Sequence, residues 1–189
     1  MKILDRSSRL LIAIAVLAFL GFAQTPKQAT QPDPPASPEM RKLADALAGD
    51  WSAMENMERS EFFPNGGGRH GFSHSQLGAG GTTLILQGHS DGSAGPLSYL
   101  IAIWWDSRAK VYRFFTCFND ANDPCLVRGT AHWEGNTFVN DYEDTFNGKQ
   151  AKFRDTFFDI TPKSHRLVEA VDIGNGNMRS LITTLSIRR

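Results

Sequence analysis

Apolar and polar residues alternate along most of the chain, in short segments that are separated by turn residues. The clearest segment is 97–105, in which every second residue is apolar or aromatic: Leu97, Tyr99, Ile101, Ile103 and Trp105. A period of two is typical of a β-strand with one buried face. Between the segments lie glycine-rich or asparagine-rich pairs such as Asn147 and Gly148, which favour tight hairpins because both tolerate positive φ.

We expect ten strands from residue 51 onward. Their short connections favour antiparallel neighbours, since parallel strands need long and usually helical crossovers. The chain is therefore predicted to be all-β, with a single antiparallel up-and-down β-barrel that leaves no exposed sheet edge. A two-sheet sandwich built from the same strands is the alternative. The predicted strands span 51–62, 68–77, 81–89, 97–105, 110–118, 125–133, 136–145, 149–160, 165–173 and 177–188.

A short amphipathic helix is predicted before the first strand. Ser37 is suited to cap its N-terminus, and Pro38 is suited to its first turn. Apolar residues then recur at helical spacing: Met40, Leu43, Ala44 and Leu47. Gly49 suits the position just past the helix end, so we expect the helix to lie across one end of the barrel.

The first 38 residues do not have the composition of a folded domain. Residues 1–23 have the pattern of a secretory signal peptide: a basic start, an apolar run and small residues before a cut after Ala23. The apolar run, Leu10–Phe22, is shorter than the ~20 residues of a membrane-spanning helix. Residues 24–38 are rich in proline and lack aromatic residues, which predicts a disordered linker. We therefore expect a barrel domain over 39–189 in a protein that is periplasmic or secreted.

Charge and cysteine content narrow the set of partners. The chain has 20 basic and 20 acidic residues and no basic stripe, so we expect neither nucleic acid nor an anionic membrane surface as a partner. The two cysteines, Cys117 and Cys125, flank a turn-rich loop and would pair across a hairpin in an oxidising compartment. Two unpaired thiols are the alternative. No metal is predicted, because two thiolates without a nearby histidine are too few ligands.

Three short motifs carry a resemblance. They are Leu47-x-Gly49-x-Trp51, then Ile103-Trp104-Trp105-Asp106 leading into Lys110-Val111-Tyr112, and Gly129-x-x-x-Trp133-Glu134-Gly135-Asn136. Over about residues 40–189 the chain resembles a bacterial family of uncharacterised function that is grouped with the lipocalin-like barrels, within the calycins.

The resemblance implies a structural role for the first motif. In lipocalins, the tryptophan of a Gly-x-Trp motif packs into the closed end of the barrel beneath an arginine from the last strand. Gly49 and Trp51 match that motif, and Arg188 or Arg189 would supply the cation over the ring. A shared fold does not transfer a ligand.

A hollow barrel of this kind predicts the binding of a small, mainly apolar molecule. Aromatic faces would supply most of the burial, and His74 and Arg179 would orient the ligand. These two roles require the side chains of His74 and Arg179 to face inward. Since every second residue of a strand shares a face, Phe72 would then face inward with His74, and Leu181 with Arg179. The candidate contacts are Phe72, His74, Leu86, Tyr99, Ile101, Tyr112, Phe114, Tyr142, Phe157 and Arg179. In the last strand, Leu181, Leu185 and Ile187 are predicted to share the inward face.

Alternation also places polar residues inside the barrel. Asn140 and Asp144 share a face with Tyr142, Asp155 lies between Phe153 and Phe157, and Glu169 lies between Leu167 and Val171. Such groups are costly inside a barrel unless they are paired. They indicate either a polar wall that orients a ligand or a structural ion-pair network.

Two other classes of function stay open. One is an enzyme that acts on a small substrate through an interior carboxylate or histidine, although no catalytic residue is predicted and no Gly-x-Ser-x-Gly motif occurs. The other is a filled barrel that serves as a structural or protein-interaction module. No cofactor is predicted, and haem is a weaker alternative for which the sequence does not choose among five histidines. Aromatic residues on the opposite strand faces would suit a homodimer surface or further core packing: Trp104, Phe115 and Phe158.

Overall fold

The structure is a computed structural model that describes residues 35–119, 125, 127–146 and 149–189. The predicted signal peptide, most of the predicted linker and the turn at Asn147 and Gly148 lie outside the described residues.

A single α-helix, α1, precedes the strands of the described chain and spans Pro38–Leu47. The Ser37 hydroxyl accepts a hydrogen bond from the Met40 amide at 3.2 Å, and Pro38 occupies the first turn, where its missing N–H leaves no bond unmade. Met40, Leu43 and Leu47 are buried on one face of the helix. The helix therefore begins where the sequence predicts and presents the predicted apolar face to the barrel.

Ten strands form a closed barrel in which each strand pairs antiparallel with its neighbours in sequence, and β1 pairs with β10. The up-and-down barrel predicted from the sequence is confirmed. The strands are β1 Gly49–Met57, β2 Gly67–Gly78, β3 Thr83–Gly92, β4 Leu97–Asp106, β5 Val111–Phe118, β6 Val127–Glu134, β7 Thr137–Phe146, β8 Lys149–Phe158, β9 Ser164–Asp172 and β10 Arg179–Arg188.

The helix-covered end of the barrel is filled by large side chains. The apolar face of α1 packs on a buried cluster from β3, β4, β5 and β7: Leu84, Ile103, Tyr112, Phe114 and Phe138. Tyr112 fastens the helix to this cluster, since its hydroxyl donates to the Glu39 carbonyl at 2.9 Å and accepts from Trp133 Nε1 at 3.3 Å.

Trp51 links the helix, the first strand and the last strand. Its indole N–H donates to the Leu47 carbonyl at 3.0 Å, which satisfies a carbonyl at the end of α1. The Arg188 guanidinium lies over the indole ring, 4.4 Å from the ring centroid, whereas Arg189 lies over Phe72 on the outer surface. Gly49 has a φ of +133°, and a Cβ there would collide with the Arg188 guanidinium, so this position requires glycine.

The first strand is shorter than predicted. It ends at Met57 instead of residue 62, and residues 58–66 form a loop. Phe62 and Phe63 of this loop pack against a second buried cluster, distant from α1: Ala151, Phe153, Val171 and Leu181. The aromatic residues that suggested a longer strand therefore contribute to the core from a loop.

A β-bulge in β10 changes which of its residues face inward. The register with β9 shifts between Ser180 and Ile182. Beyond the shift, the residues that line the interior are Ile182, Thr184 and Ser186. The predicted inward face is therefore wrong for Leu185 and Ile187, and Ile187 is 51% exposed.

The predicted disulfide is confirmed. Cys117 and Cys125 are bonded, with their Cα atoms 4.0 Å apart. In the part of the chain that the structure describes, no helix has the length and apolar character to cross a membrane.

We predict that Leu43→Ala destabilises the barrel by about 2–5 kcal/mol, the usual cost of truncating a fully buried leucine. Urea unfolding followed by circular dichroism measures the change. Asp45→Ala, at an exposed position of the same helix, is the control and should change stability by less than about 0.5 kcal/mol. Equal effects of the two substitutions would show that α1 does not cover the core.

Candidate functional site

The interior of the barrel contains a cavity of about 140 Å³. All ten strands contribute inward side chains to its wall. Leu47, at the end of α1, completes it. A cavity of roughly 150 Å³ in a protein core can accommodate benzene. The interior therefore has room for a small molecule of about one ring.

Several predicted contact residues come together at this cavity. They belong to β3, β4, β5, β7 and β8 and form its apolar and aromatic wall: Leu86, Tyr99, Ile101, Phe114, Tyr142 and Phe157. Two glycines make room for the larger rings, since a Cβ at Gly88 would collide with the Tyr99 ring and one at Gly129 would lie 2.7 Å from the Phe114 ring. The absence of side chains at these two glycines therefore leaves space for the two rings.

The predicted inward orientation of Phe72 and His74 is wrong. Phe72 is 55% exposed on the outer face of β2, and the His74 ring is exposed and bonded to Asp50 at 2.7 Å. The inner face of β2 approaches β3 closely, and a Cβ at Gly71 would lie 2.5 Å from the Ser90 Cβ. Only a residue without a side chain fits on the inner face at Gly71, and the alternating residues Phe72 and His74 face outward.

Two further predicted contacts lie away from the cavity. Tyr112 is buried in the cluster beneath α1, where its hydroxyl is already bonded. Arg179 lies at the surface before the β10 bulge and pairs with Glu61 at 3.0 Å. Neither side chain is among those that line the cavity. The prediction that His74 and Arg179 orient a ligand inside the barrel is therefore wrong.

The polar part of the wall is acidic instead. Glu55, Asp155 and Glu169 line the cavity, and we call these three residues the carboxyl cluster. The sequence placed Asp155 and Glu169 inside but did not single out Glu55. The alternation that begins at Trp51 and continues through Ala53 would have found it.

Within the carboxyl cluster, Asp155 and Glu169 are directly opposite each other in the β8–β9 pairing. Side chains in such pairs lie on the same face at about 5 Å. Burial raises the pKa of Asp155 to about 7, assisted by Asp141 and opposed by a hydrogen bond from Asn140. Burial, Asp155 and Glu55 raise the pKa of Glu169 to about 8, against the opposing charge of Arg69.

Arg69 is the cation that faces this cluster. Its guanidinium is 3.8 Å from a Glu55 carboxylate oxygen, and both side chains are almost fully buried. Burial raises the pKa of Glu55, while Arg69 lowers it. The pair is consistent with the rule that a buried charge needs a partner.

His165 is the histidine that lines the cavity, whereas the other four lie on outer strand faces: His70, His74, His89 and His132. Its ring is 7% exposed and packs edge-on against Trp51, with centroids 4.5 Å apart. Burial and the nearby Arg188 lower the pKa of His165 to about 4, so the ring is neutral at pH 7. The sequence analysis did not choose this histidine, although the alternation that places Leu167 and Glu169 inside extends back to it.

The two cavity tyrosines stay protonated. Burial raises the pKa of Tyr99 to about 12, and burial raises the pKa of Tyr142 well above its usual value. Both offer a neutral hydroxyl beside the carboxyl cluster. No group of three or more histidine, cysteine or acidic residues in the described chain is arranged to hold a metal ion.

No protein-family model matches the chain, and no curated protein sequence matches it. Among solved structures, the chain is similar to Rv2717c from M. tuberculosis, with a TM-score of 0.57, 10% identity and coverage of 82% of this chain and 99% of that one. It is also similar to an S-type phycobiliprotein lyase, CPES, from Guillardia theta, with a TM-score of 0.51, 10% identity and coverage of 79% and 92%. These likenesses show a lipocalin-like β-barrel fold.

We predict that the barrel loses roughly 1–3 kcal/mol of stability between pH 6.5 and pH 9. The raised pKa values mean that the folded state holds protons on Asp155 and Glu169 that the unfolded state has already released, so raising the pH favours unfolding. Urea unfolding at the two pH values measures this. Glu169→Gln should remove most of the decline, and an unchanged decline would show that the pair does not titrate in this range.

Proposed function

We propose that this protein is an exported barrel that binds a small, mainly apolar molecule in its interior. The observation that supports this most directly is the cavity of about 140 Å³ with a largely apolar and aromatic wall. Binding sites for small molecules are typically concave and apolar, with a few polar groups that fix orientation. The carboxyl cluster and His165 would be those polar groups.

The energy of binding would come from the aromatic wall. Each 100 Å² of apolar ligand surface that is removed from water contributes about 2.5 kcal/mol, before the cost of association is subtracted. Gly88 and Gly129 leave room for the rings of Tyr99 and Phe114, and the Phe114 ring packs edge-on against Tyr142 with centroids 5.9 Å apart. Little reorganisation would therefore oppose binding.

Export and family membership belong to the same proposal. The N-terminal pattern of residues 1–23 and the Cys117–Cys125 disulfide support export, since disulfides persist in oxidising compartments. The three motifs quoted above support membership of the bacterial lipocalin-like family that they resemble. The position of the Arg188 guanidinium over the Trp51 ring also supports membership of that family.

An enzyme is the second candidate, and the Asp155–Glu169 pair favours it. Carboxyl groups whose pKa values lie near neutrality are suited to general acid–base catalysis. A hydrolytic or isomerising activity that depends on pH and is abolished by Asp155→Asn would favour this candidate. The cavity argues against a filled barrel that serves as a structural or interaction module. A homodimer whose surface includes Trp104 and Phe115, with ring centroids 6.4 Å apart, is a further proposal.

Native mass spectrometry tests the binding function. The full chain is expressed, and the purified product is weighed under native and denaturing conditions and again after exposure to a panel of aromatic compounds, fatty acids and haem. We expect an added mass that is lost on denaturation. A native mass equal to the denatured mass, with no uptake from the panel, would contradict the proposal.

We predict that Ile101→Phe weakens toluene binding at least tenfold in isothermal titration calorimetry, because the larger side chain occupies the cavity that Ile101 lines. Leu100→Phe is the matched control, since Leu100 is adjacent on β4 but points to the outer face, and it should leave toluene affinity unchanged. If both variants bind toluene as the unmodified protein does, toluene does not occupy the interior.

A further inference from the structure

Among the described residues, carboxyl groups outnumber basic groups inside the barrel. One guanidinium, that of Arg69, faces the three carboxyl groups of Glu55, Asp155 and Glu169. Arg69 forms an ion pair with Glu55, whereas no described basic side chain forms an ion pair with Asp155 or Glu169. The Asp155–Glu169 pair therefore lines the cavity without a cation of its own.

Asp155 also has an unused acceptor. Its Oδ2 accepts a hydrogen bond from Asn140 at 3.4 Å, but its buried Oδ1 has no partner among the described residues. Buried polar atoms are nearly always satisfied, so an exception beside a cavity marks a position where a polar group of a ligand could bind. His165 lines the same cavity and is 7% exposed. Its Nδ1 atom is likewise buried and has no hydrogen-bond partner among the described residues.

We propose that the ligand carries a positively charged nitrogen group, an amidinium or a protonated amine, that binds the carboxylates of Asp155 and Glu169 while its apolar body lies against the aromatic wall. This inference rests on the proposed binding function and specifies the ligand class for the same cavity.

The geometry of the wall fits such a ligand. An amidinium presents two parallel N–H donors, which match carboxylate oxygens in the way that the arginine fork does. Its ring would face Phe114, Tyr142 and Phe157, which line the cavity. An anionic ligand would be disfavoured, because a carboxylate placed beside the ionised carboxyl cluster is repelled.

Binding of a cation would be coupled to proton release. Since the pKa values of Asp155 and Glu169 lie at about 7 and about 8, the free pair holds at least one proton at pH 6, which a bound cation would displace. The other charged or titratable groups around the pair are Glu55, Arg69, Asp141, Asp144, Tyr99, Tyr142 and His165. Of these, the two tyrosines and His165 titrate outside the range from pH 6 to pH 8. Cation affinity should therefore rise with pH across that range.

Isothermal titration calorimetry with three probes of nearly equal shape tests the inference. The probes are benzamidinium, benzamide and benzoate, which are cationic, neutral and anionic at every pH used. At pH 8 we expect benzamidinium to bind at least tenfold more tightly than benzamide, and benzoate to bind most weakly. Between pH 6 and pH 8 the benzamidinium affinity should rise about tenfold, with proton release that buffers of different ionisation enthalpy reveal, while the benzamide affinity stays constant.

Carboxyl-to-amide substitutions locate the effect. Glu169→Gln and Asp155→Asn should each abolish the preference for benzamidinium and its pH dependence. Benzamide binding should be retained, which also shows that the variants are folded. Glu143→Gln, on the exposed outer face of β7, is the matched control and should behave as the unmodified protein.

The outcomes separate the two proposals. Benzamide or benzoate binding as tightly as benzamidinium would overturn the inference about the ligand class and leave the binding function standing. A benzamidinium preference that survives both substitutions would also overturn the inference, because the cation would then bind elsewhere. If none of the three probes and no toluene enters the barrel, both proposals fail.

Discussion

Pairing of the first strand with the last is the constraint on which the rest of the structure depends. In that pairing Trp51 lies opposite Arg188, and the hydrogen-bonded ring of strands has no edge. Closure decides for every strand which side chains are enclosed. It also places the Arg188 guanidinium over the Trp51 ring, where Gly49 leaves room for it.

Closure of the barrel makes the few polar side chains on its inner face energetically costly. A carboxyl group on an open sheet can turn toward water, whereas one on the inner face of a closed barrel must be paired, protonated or bound to a ligand. Glu55 is paired with Arg69. Asp155 and Glu169 have no such partner among the described residues, and burial raises their pKa values until they hold protons near neutral pH. The polar wall is thus both a cost to the fold and its most specific chemical feature.

At Trp51 a second arginine, Arg188, has its guanidinium occupied by contacts other than the carboxyl cluster. The Arg188 guanidinium lies over the Trp51 ring and donates to the Pro162 carbonyl at 2.6 Å. Burial, with a smaller contribution from the charge of Arg188, lowers the pKa of His165 and keeps that ring neutral. The cavity is therefore lined by carboxyl groups, neutral hydroxyls and a neutral imidazole.

The strands, the helix and the disulfide could be predicted from sequence because each depends on local patterns: alternation, a Ser-Pro helix start, and two cysteines across a short loop. The errors arose where packing between strands overrides such patterns. Close approach of β2 to β3 at Gly71 turned Phe72 outward, and a bulge after Ser180 reversed the face of β10. The aromatic wall followed from alternation, but the adjacency of Asp155 and Glu169 depends on the β8–β9 register, which the sequence does not specify.

A crystal structure of the protein grown with benzamidinium would show whether the interior is a binding site whose polar wall is acidic. We expect density for the probe inside the barrel, with an amidinium nitrogen within hydrogen-bond distance of Oδ1 of Asp155, which has no partner among the described residues. Probe density confined to the outer surface, with the interior filled by side chains or ordered water, would contradict this expectation.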